Sequence, residues 1–461
     1  MLSGRWVRRA AASCQVAAML AVAAAAAHAQ ATSQIPLQFS FMTPGARSLA
    51  LGGAFLGAAD DATAASANPS GLALLSLREI SVEGRVERIE TPFLQGGRIA
   101  GSVTGEGLDT IDGPSYGTDT NRHAALTFVS LVVPLGRATV AAYSHQVASM
   151  TNRFFSQGVF QRGTLAGITD DRVRELPLGG TREIAIRSYG GSVGMQVTPA
   201  LSVGAGLALY AQRLDASFAR FNVSSDAFSP PNRSTVTATA VQRGKALSLA
   251  PNVGILWSPI VGIRVGAQYR RGPAFDFVQT DDVPLNDVHL VREGRFKVPD
   301  VMGAGLEWRL AGRDDQRPDP AYALRVLADY TRVQYSQLKQ DFIDIQALVS
   351  GRPDRLRIDD GNELHGGLEV FLLKWRGRRL ARPIMLRTGA WLDPDHSVRY
   401  EPTSAGDPLD ILMTATLPGG KDVVHYSFGG GVVLSRRVEM NGAVDVSSRS
   451  TFVTTSAVVR F

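Results

Sequence analysis

Two stretches of the chain match G-x-S-x-G, Gly113-Pro114-Ser115-Tyr116-Gly117 and Gly190-Gly191-Ser192-Val193-Gly194. That pattern makes a nucleophile only where the Ser sits on a tight strand-to-helix turn beside a base. The first reads as part of a long loop and the second as a strand interior, so neither provides the turn. Six histidines lie beyond residue 29, His123, His145, His289, His365, His396 and His425, without His-x-His or His-x-x-x-His spacing. No enzyme site, metal centre or cofactor is expected. Charge chemistry is the remaining candidate. Asp60 and Asp61 stand together in a segment of small residues, and Arg264, Arg325 and Arg387 fall on the polar phase of strand-like stretches. Such arginines suit a ligand carboxylate, or protein acids such as Asp60, Asp61, Asp329 and Glu369.

The elements that would hold these residues follow from the rest of the chain. Arg5, Arg8 and Arg9 precede an Ala-rich apolar run to Ala27-His28-Ala29. This order reads as a secretory signal peptide over 1–29, cleaved near Ala29/Gln30, with a single membrane anchor as the alternative. The only cysteine, Cys14, lies inside that segment, so disulfide and thiolate readings fall away. Losing its three arginines lowers the formal charge from +6 to +3. A mildly basic chain without basic blocks gives no case for nucleic-acid binding.

Roughly 430 residues remain, with no Pro/Ser-rich linker and no apolar run long enough for a membrane helix. The chain nevertheless alternates. In VGIRVGAQYR, Val261, Ile263, Val265, Ala267 and Tyr269 oppose Gly262, Arg264, Gly266, Gln268 and Arg270. In VHYSFGGGVVL, Val424, Tyr426, Phe428, Val432 and Leu434 oppose His425, Ser427, Gly429 and Gly431. One face is apolar and the other polar, with many of the 47 glycines on the polar phase.

About fourteen such strands can be drawn, near 77–88, 123–133, 138–147, 182–197, 201–214, 246–257, 261–270, 296–310, 321–335, 362–374, 383–392, 423–434, 437–447 and 451–461. Several connections after even-numbered strands are tight (PLGR, TPA, SPI, SRR). Most after odd-numbered strands are long and polar, at 89–122, 148–181, 215–245, 271–295, 336–361 and 393–422. An even strand count with short turns at one end and long loops at the other is the topology of an outer-membrane β-barrel. The expected fold class is therefore all-β, a transmembrane antiparallel barrel over 77–461 with its long loops outside the cell. Trp257, Trp308 and Trp375 fall where a girdle would lie, and a terminal strand ending in Phe461 suits recognition by barrel-insertion machinery.

Residues 30–76 fit no barrel strand. GARSLALGGAFLGAADDATAASANPSGL has small side chains, turn signals at Asp60-Asp61 and Asn68-Pro69-Ser70-Gly71, and too few charges for a typical disordered tail. A hatch packed inside the lumen explains these features; a flexible periplasmic tail is the alternative. The stretch resembles the N-terminal hatch signature of the FadL/TodX family of outer-membrane transporters. Ala59-Asp60-Asp61-Ala62 and Asn68-Pro69 match it, and Ser70 stands where Ala is expected. Weaker similarity continues in KVPDVMGAGLEW, LADYTRVQYS, LRTGAWLDPD and HYSFGGGVVLS.

The resemblance implies a 14-stranded barrel plugged by its N-terminus, with Gly45, Gly52, Gly53, Asp60, Asp61, Asn68, Pro69 and Gly71 in the hatch. It also implies passive uptake of long-chain fatty acids or hydrocarbons, with release sideways through the wall. The expected setting is the outer membrane of a Gram-negative bacterium, among its lipids and as a monomer. A structural or secretion-associated barrel and a general porin are the alternatives.

Two irregular stretches bear on a ligand. Around 123–147 both phases are apolar, Leu126, Phe128 and Val132 against Val129, Leu131 and Val133, which places apolar groups in the lumen or against the hatch. Candidate ligand contacts are Phe128, Leu131, Arg264 and Arg387. In REIAIRSYGGSVGMQV the apolar phase switches from Ile184 and Ile186 to Tyr189, Val193 and Val197, which predicts a bulge near Ser188. DFIDIQALV, 341–349, reads as a short amphipathic helix in an outer loop.

Overall fold

A computed structural model describes residues 41–99, 112–165, 168–175, 177–221, 236–283, 287–311, 322–339, 353–375, 378–404 and 406–461. The signal segment and the 341–349 helix lie outside the described residues. Fourteen strands form the wall: β1 (Glu79–Arg98), β2 (Gly113–Leu135), β3 (Ala138–Ser156), β4 (Leu178–Thr198), β5 (Leu201–Phe221), β6 (Val236–Ile260) and β7 (Ile263–Arg270), followed by β8 (Val301–Ala311), β9 (Tyr322–Val333), β10 (Gly361–Trp375), β11 (Arg378–Asp393), β12 (Val423–Val433), β13 (Val438–Val446) and β14 (Ser450–Arg460). Each is antiparallel to the next, and β14 returns to β1 with Ile80 opposite Val459 and Ile89 opposite Ser450. The sheet closes on itself through the β14–β1 ladder.

Alternation sorts the side chains as the sequence implies. In β6, Ala250, Asn252 and Leu256 are at most 4% exposed, whereas Val253, Ile255 and Trp257 are 47–50% exposed. Outward Ile80, Val82, Leu207, Leu249, Phe428 and Val453 continue this apolar belt around the barrel, and Trp308 joins Trp257 on its surface. The chain therefore spans the membrane as a β-barrel.

The long connections differ from expectation. Much of 89–122, 148–181 and 215–245 is strand: β1 runs on to Arg98, β2 starts at Gly113, and β5 and β6 pair as far as Phe221 and Val236. Polarity on both faces signals water on both sides, and a strand outside the membrane tolerates that. The 271–295 connection holds a hairpin, Ala274–Val283 with Val288–Lys297, whose first strand pairs with β6. A helix, α3 (Pro408–Thr416), lies within 393–422. The first G-x-S-x-G match sits at the start of β2 rather than in a loop, and the second lies inside β4 as expected.

The predicted bulge near Ser188 is corrected. In β4 the even-numbered side chains from Arg182 to Ser192 turn inward without interruption, so Ile184 and Ile186 line the lumen while Tyr189, Val193 and Val197 face lipid. The phase switch marks a change in what lines the lumen. The bulges lie on the two preceding strands, one at Thr127 of β2, opposite the Glu83/Gly84 step, and one at Val147 of β3, opposite the Arg187/Ile186 step. The bulge at Thr127 also explains the mixed phases of 123–133, because it lets Leu126 and Leu131 both face outward while Phe128 and Val132 face inward.

Inside sits the hatch. Gly45 precedes α1 (Ala46–Ala50), a turn with positive φ at Gly52 and Gly53 follows, and then come α2 (Ala64–Ala67) and a 3-10 helix at Pro69–Leu74. Ala46, Leu51, Ala54, Phe55, Ala58, Ala62 and Leu72 are all fully buried. These helices are too short to persist alone, so burial against the wall holds them.

Candidate functional site: the lumen and its wall

The wall's inward glycines are where the hatch backbone touches it. A Cβ on Gly254 would overlap Asn68 Oδ1, one on Gly266 would overlap Leu56 O, and one on Gly389 would overlap the Leu51 backbone. Polar contacts fix the register. Asn68 Nδ2 donates to Leu56 O (3.1 Å) and Ile255 O (3.3 Å), and Ser70 Oγ donates to Asn68 Oδ1 (2.6 Å). Asp329 Oδ2 accepts from the amides of Phe55 (2.6 Å) and Leu56 (2.7 Å), and Ser192 Oγ donates to Ala65 O (2.6 Å). The amide of Gly45 donates to Glu83. Asn68 thus ties two parts of the hatch to β6, and six residues of 3-10 helix separate Asn68 from the chain leading to β1.

At the turn end, charge knots the hatch to the wall. Arg47 of α1 reaches Asp60 (2.5 Å), Asp61 (3.4 Å) and, through its other edge, Glu369 of β10 (3.1 and 3.2 Å). Asp60 also meets Arg325 (3.0 Å), Arg309 (3.5 Å) and Arg264 (3.9 Å). Glu307 pairs with Arg309, Arg264 and Arg325 at 3.0 to 3.3 Å, and Arg387 pairs with Glu369 (2.7 Å) and Asn441 (2.6 Å). Alternating charges repay the cost of desolvating one another, which an isolated lumen charge could not do. A cavity of about 170 Å³ lies among them, lined by Arg47, Asp60, Arg325, Glu369 and Arg387.

A second anchor is aromatic. Trp391 stacks on His425 with ring centres 4.0 Å apart and on His365 at 5.4 Å, while its indole N–H donates to Asp445 (3.2 Å). His365 Nδ1 lies 2.7 Å from the carbonyl of Gly52 in the hatch turn. Adjacent strands assemble this stack from residues 26 to 60 positions apart, which explains why spacing in the sequence gave no sign of it.

Toward the loop end the lumen turns apolar. Phe128 packs near Tyr143 (6.1 Å), and Ile184, Ile186, Tyr210 and Phe275 are buried in the same cluster. Tyr335, Leu338, Leu356 and Met413 from the long connections close it above, and Phe55, Ala59 and Leu72 of the hatch close it below.

The wall of this apolar half is incomplete. The β2–β3 ladder runs from Leu135 opposite Ala138 to Phe128 opposite His145 and stops. Beyond it, among the described residues, β2 pairs only with β1, and β3 only with β4. Side chains bridge the seam instead. His123 Nε2 lies 3.1 Å from Ser149 Oγ, and Asp119 Oδ2 accepts from Asn152 Nδ2 (3.2 Å) and the Arg153 amide (3.1 Å). Arg187 crosses from β4 to Leu126 O (3.2 Å) and Gln146 Oε1 (3.1 Å). The seam begins where the two bulges lie, since each bulge turns its strand out of ladder register.

The candidate residues therefore separate. Gly45, Gly52, Gly53, Asp60, Asp61, Asn68, Pro69 and Gly71 all stand in the hatch, and Phe128 lines the apolar lumen at 1% exposure. Leu131 does not; it is 43% exposed on the lipid face, because it stands three residues after inward-facing Phe128 in an unbroken stretch of ladder. Arg264 and Arg387 are in the lumen but below the apolar space, already matched to acids. Sequence reasoning missed Arg47, the His365–Trp391–His425 stack and the seam.

No family model matches the chain, and no curated protein matches it in sequence. Solved structures do match. A FadL homologue from Pseudomonas aeruginosa superposes with a TM-score of 0.56 at 15% identity, covering 94% of this chain and 100% of that one. The toluene transporter TodX of P. putida gives 0.54 at 13% identity, covering 91% and 98%. The CymD monoaromatic hydrocarbon channel gives 0.50 at 12% identity, covering 92% and 99%.

Proposed function

We propose that this chain, which has the fold of the FadL and TodX outer-membrane proteins, is a channel for passive uptake of hydrophobic compounds, gated by its hatch. The observation that carries this reading is the division of the lumen. The turn half holds the hatch and its ionic knot, whereas a general porin keeps a water-filled lumen. The loop half is apolar, and it adjoins a stretch of wall with no backbone ladder. Backbone without ladder partners is tolerated at membrane depth where it lines an internal space.

In this reading a hydrocarbon or fatty acid is captured at the loop end, which faces outside. It enters the space around Phe128 and leaves sideways through the seam between β2 and β3. The arginines Arg264 and Arg387 hold the hatch rather than the ligand, because Glu307 and Glu369 already pair with them. Residues 1–29 act as the cleaved signal and Phe461 as the insertion signal of a monomeric barrel.

Deleting residues 45–72 while keeping the barrel tests the gate. Loss or acceleration of hydrophobic solute uptake is expected, and unchanged uptake would remove the gating role. Rapid swelling of liposomes in sugars by the intact protein would favour a porin instead. Mass spectrometry of co-purifying molecules should find a hydrophobic ligand; finding none, with no uptake, would leave a structural barrel.

A further inference from the structure

The outward faces of β3 to β6 carry, row by row, an ordered change of chemistry above the apolar belt. The top lipid-facing rows are Tyr189, Leu209 and Leu249, then Arg187, Ala211 and Leu247. In the next row Arg213 stands directly opposite Lys245. Both are exposed, and among the described residues neither side chain makes an ion pair or hydrogen bond. Two like charges in direct cross-strand register destabilise a sheet unless something neutralises them. Arg243 follows one row farther out, opposite Asp215, with Glu183 beyond on β4. The acids stand on the water side, so the charges nearest the belt are all basic: Arg187, already bonded to Leu126 O and Gln146, and then the Arg213/Lys245 pair. Above them an open groove of about 570 Å³ runs over the same face, floored by Phe155, Phe221 and Gly179 and edged by Arg153 and Ser217. Phe155 and Phe221 pack with ring centres 5.9 Å apart.

We propose that this face docks a phosphorylated lipid of the outer leaflet, with acyl chains on the Leu209/Leu249 rows. Its headgroup phosphate would lie between Arg213 and Lys245, and its sugars in the Phe155/Phe221 groove. The height supports the assignment, since phosphates of an outer-leaflet glycolipid lie immediately above the hydrocarbon, and basic residues at that level attract them. The order of apolar, cationic and aromatic surface also follows the chemistry of a phosphoglycolipid from tail to head. Sugars stack on aromatic faces, and Tyr, Trp and Phe supply such faces at membrane boundaries. The inference rests on the barrel's place in the outer membrane and is independent of what, if anything, passes through the lumen.

The test is retention of bisphosphorylated lipid A by the full-length folded barrel in nanodiscs, comparing wild type with Arg213→Gln/Lys245→Gln. Retention by the double variant should fall roughly tenfold, and fully dephosphorylated lipid A should bind both proteins alike. Arg88→Gln, at an outward arginine on β1 already paired with Glu90, should retain the lipid as wild type does. A heat-modifiable gel shift reports that each variant is folded. If the double variant is not folded, Lys245→Gln alone, expected to lose about threefold, carries the test. Equal retention by wild type and the variant overturns the proposal. So does displacement of the lipid by inorganic phosphate at equimolar concentration, which would make the pair a free-anion site.

Discussion

Arg47 Nη1 lies 2.5 Å from Asp60 Oδ1, thirteen residues farther along the same hatch. The same guanidinium donates through Nε and Nη2 to both carboxylate oxygens of Glu369 on the wall, so one side chain folds the hatch and docks it.

Replacing Arg47 with Ala is expected to loosen the hatch without opening the barrel. Removing one partner of a buried pair costs about 3–5 kcal/mol. Glu369 keeps Arg387 and Asp60 keeps Arg325, so the lower end of that range applies. Hydrogen exchange should rise over 45–72 and stay unchanged in the wall strands; equal protection in both proteins would remove Arg47 from the docking contact.

The wall's glycines should tolerate substitution according to what they face, the hatch for Gly254 and the lipid for Gly442. Gly254→Val drives a side chain into Asn68 and should displace the 3-10 helix at Pro69–Leu74. Gly442→Val, whose added Cβ meets nothing within 4 Å, should change stability by no more than about 0.5 kcal/mol. Protease sensitivity of the hatch separates the two, and similar behaviour would refute the close-packing account.

The seam invites a reversible lock. Substituting both His123 and Ser149 with Cys places one thiol on each side of the seam, in a protein whose only native cysteine is Cys14. The long reach of the histidine ring leaves the two sulfurs too far apart for a direct disulfide, so a short bis-methanethiosulfonate reagent, which forms a reducible disulfide with each thiol, supplies the bridge. Bridging should stop uptake of hydrophobic solutes and reduction should restore it; full uptake by the bridged protein would show that solutes do not leave through this part of the wall.

In the long connection after β11, His396 stacks on Tyr335 with ring centres 4.0 Å apart and lies 3.4 Å from Asp393. Burial by itself would lower the pKa of this imidazole. The Asp393 charge and hydrogen bond, the Pro394 carbonyl and Glu363 outweigh it, and the pKa is raised above the ordinary value of 6.5. A raised pKa means that the protonated ring stabilises the loop fully below the ordinary histidine range. That stabilisation is lost as pH rises through the raised value. Exchange protection around Tyr335 should therefore fall as pH increases from 6 to about 9. His396→Gln should flatten the profile; an unchanged profile would assign the dependence to another group.

The alternation of VGIRVGAQYR and VHYSFGGGVVL is visible in the sequence because lipid on one side and lumen on the other impose a period of two. The hatch was legible for a related reason. Ala and Gly dominate 45–72 because that segment must fit against the inner wall, which leaves a compositional trace. Polar stretches such as 113–122 gave the wrong element, since water on both faces removes the period without removing the ladder.

Sequence by itself determined the barrel, its strand order and the identity of the plug, because each depends on local pattern and chain order. Tertiary structure alone decided which charges meet and where the wall comes apart. Arg47 and Glu369 are 322 residues apart, and the ladder between β2 and β3 ends where two single-residue bulges coincide. A closed sheet sets such meetings by register, and one inserted residue changes the face of everything beyond it. Leu126 shows the effect: it shares the parity of inward-facing Phe128, yet the extra residue at Thr127 turns it to the lipid.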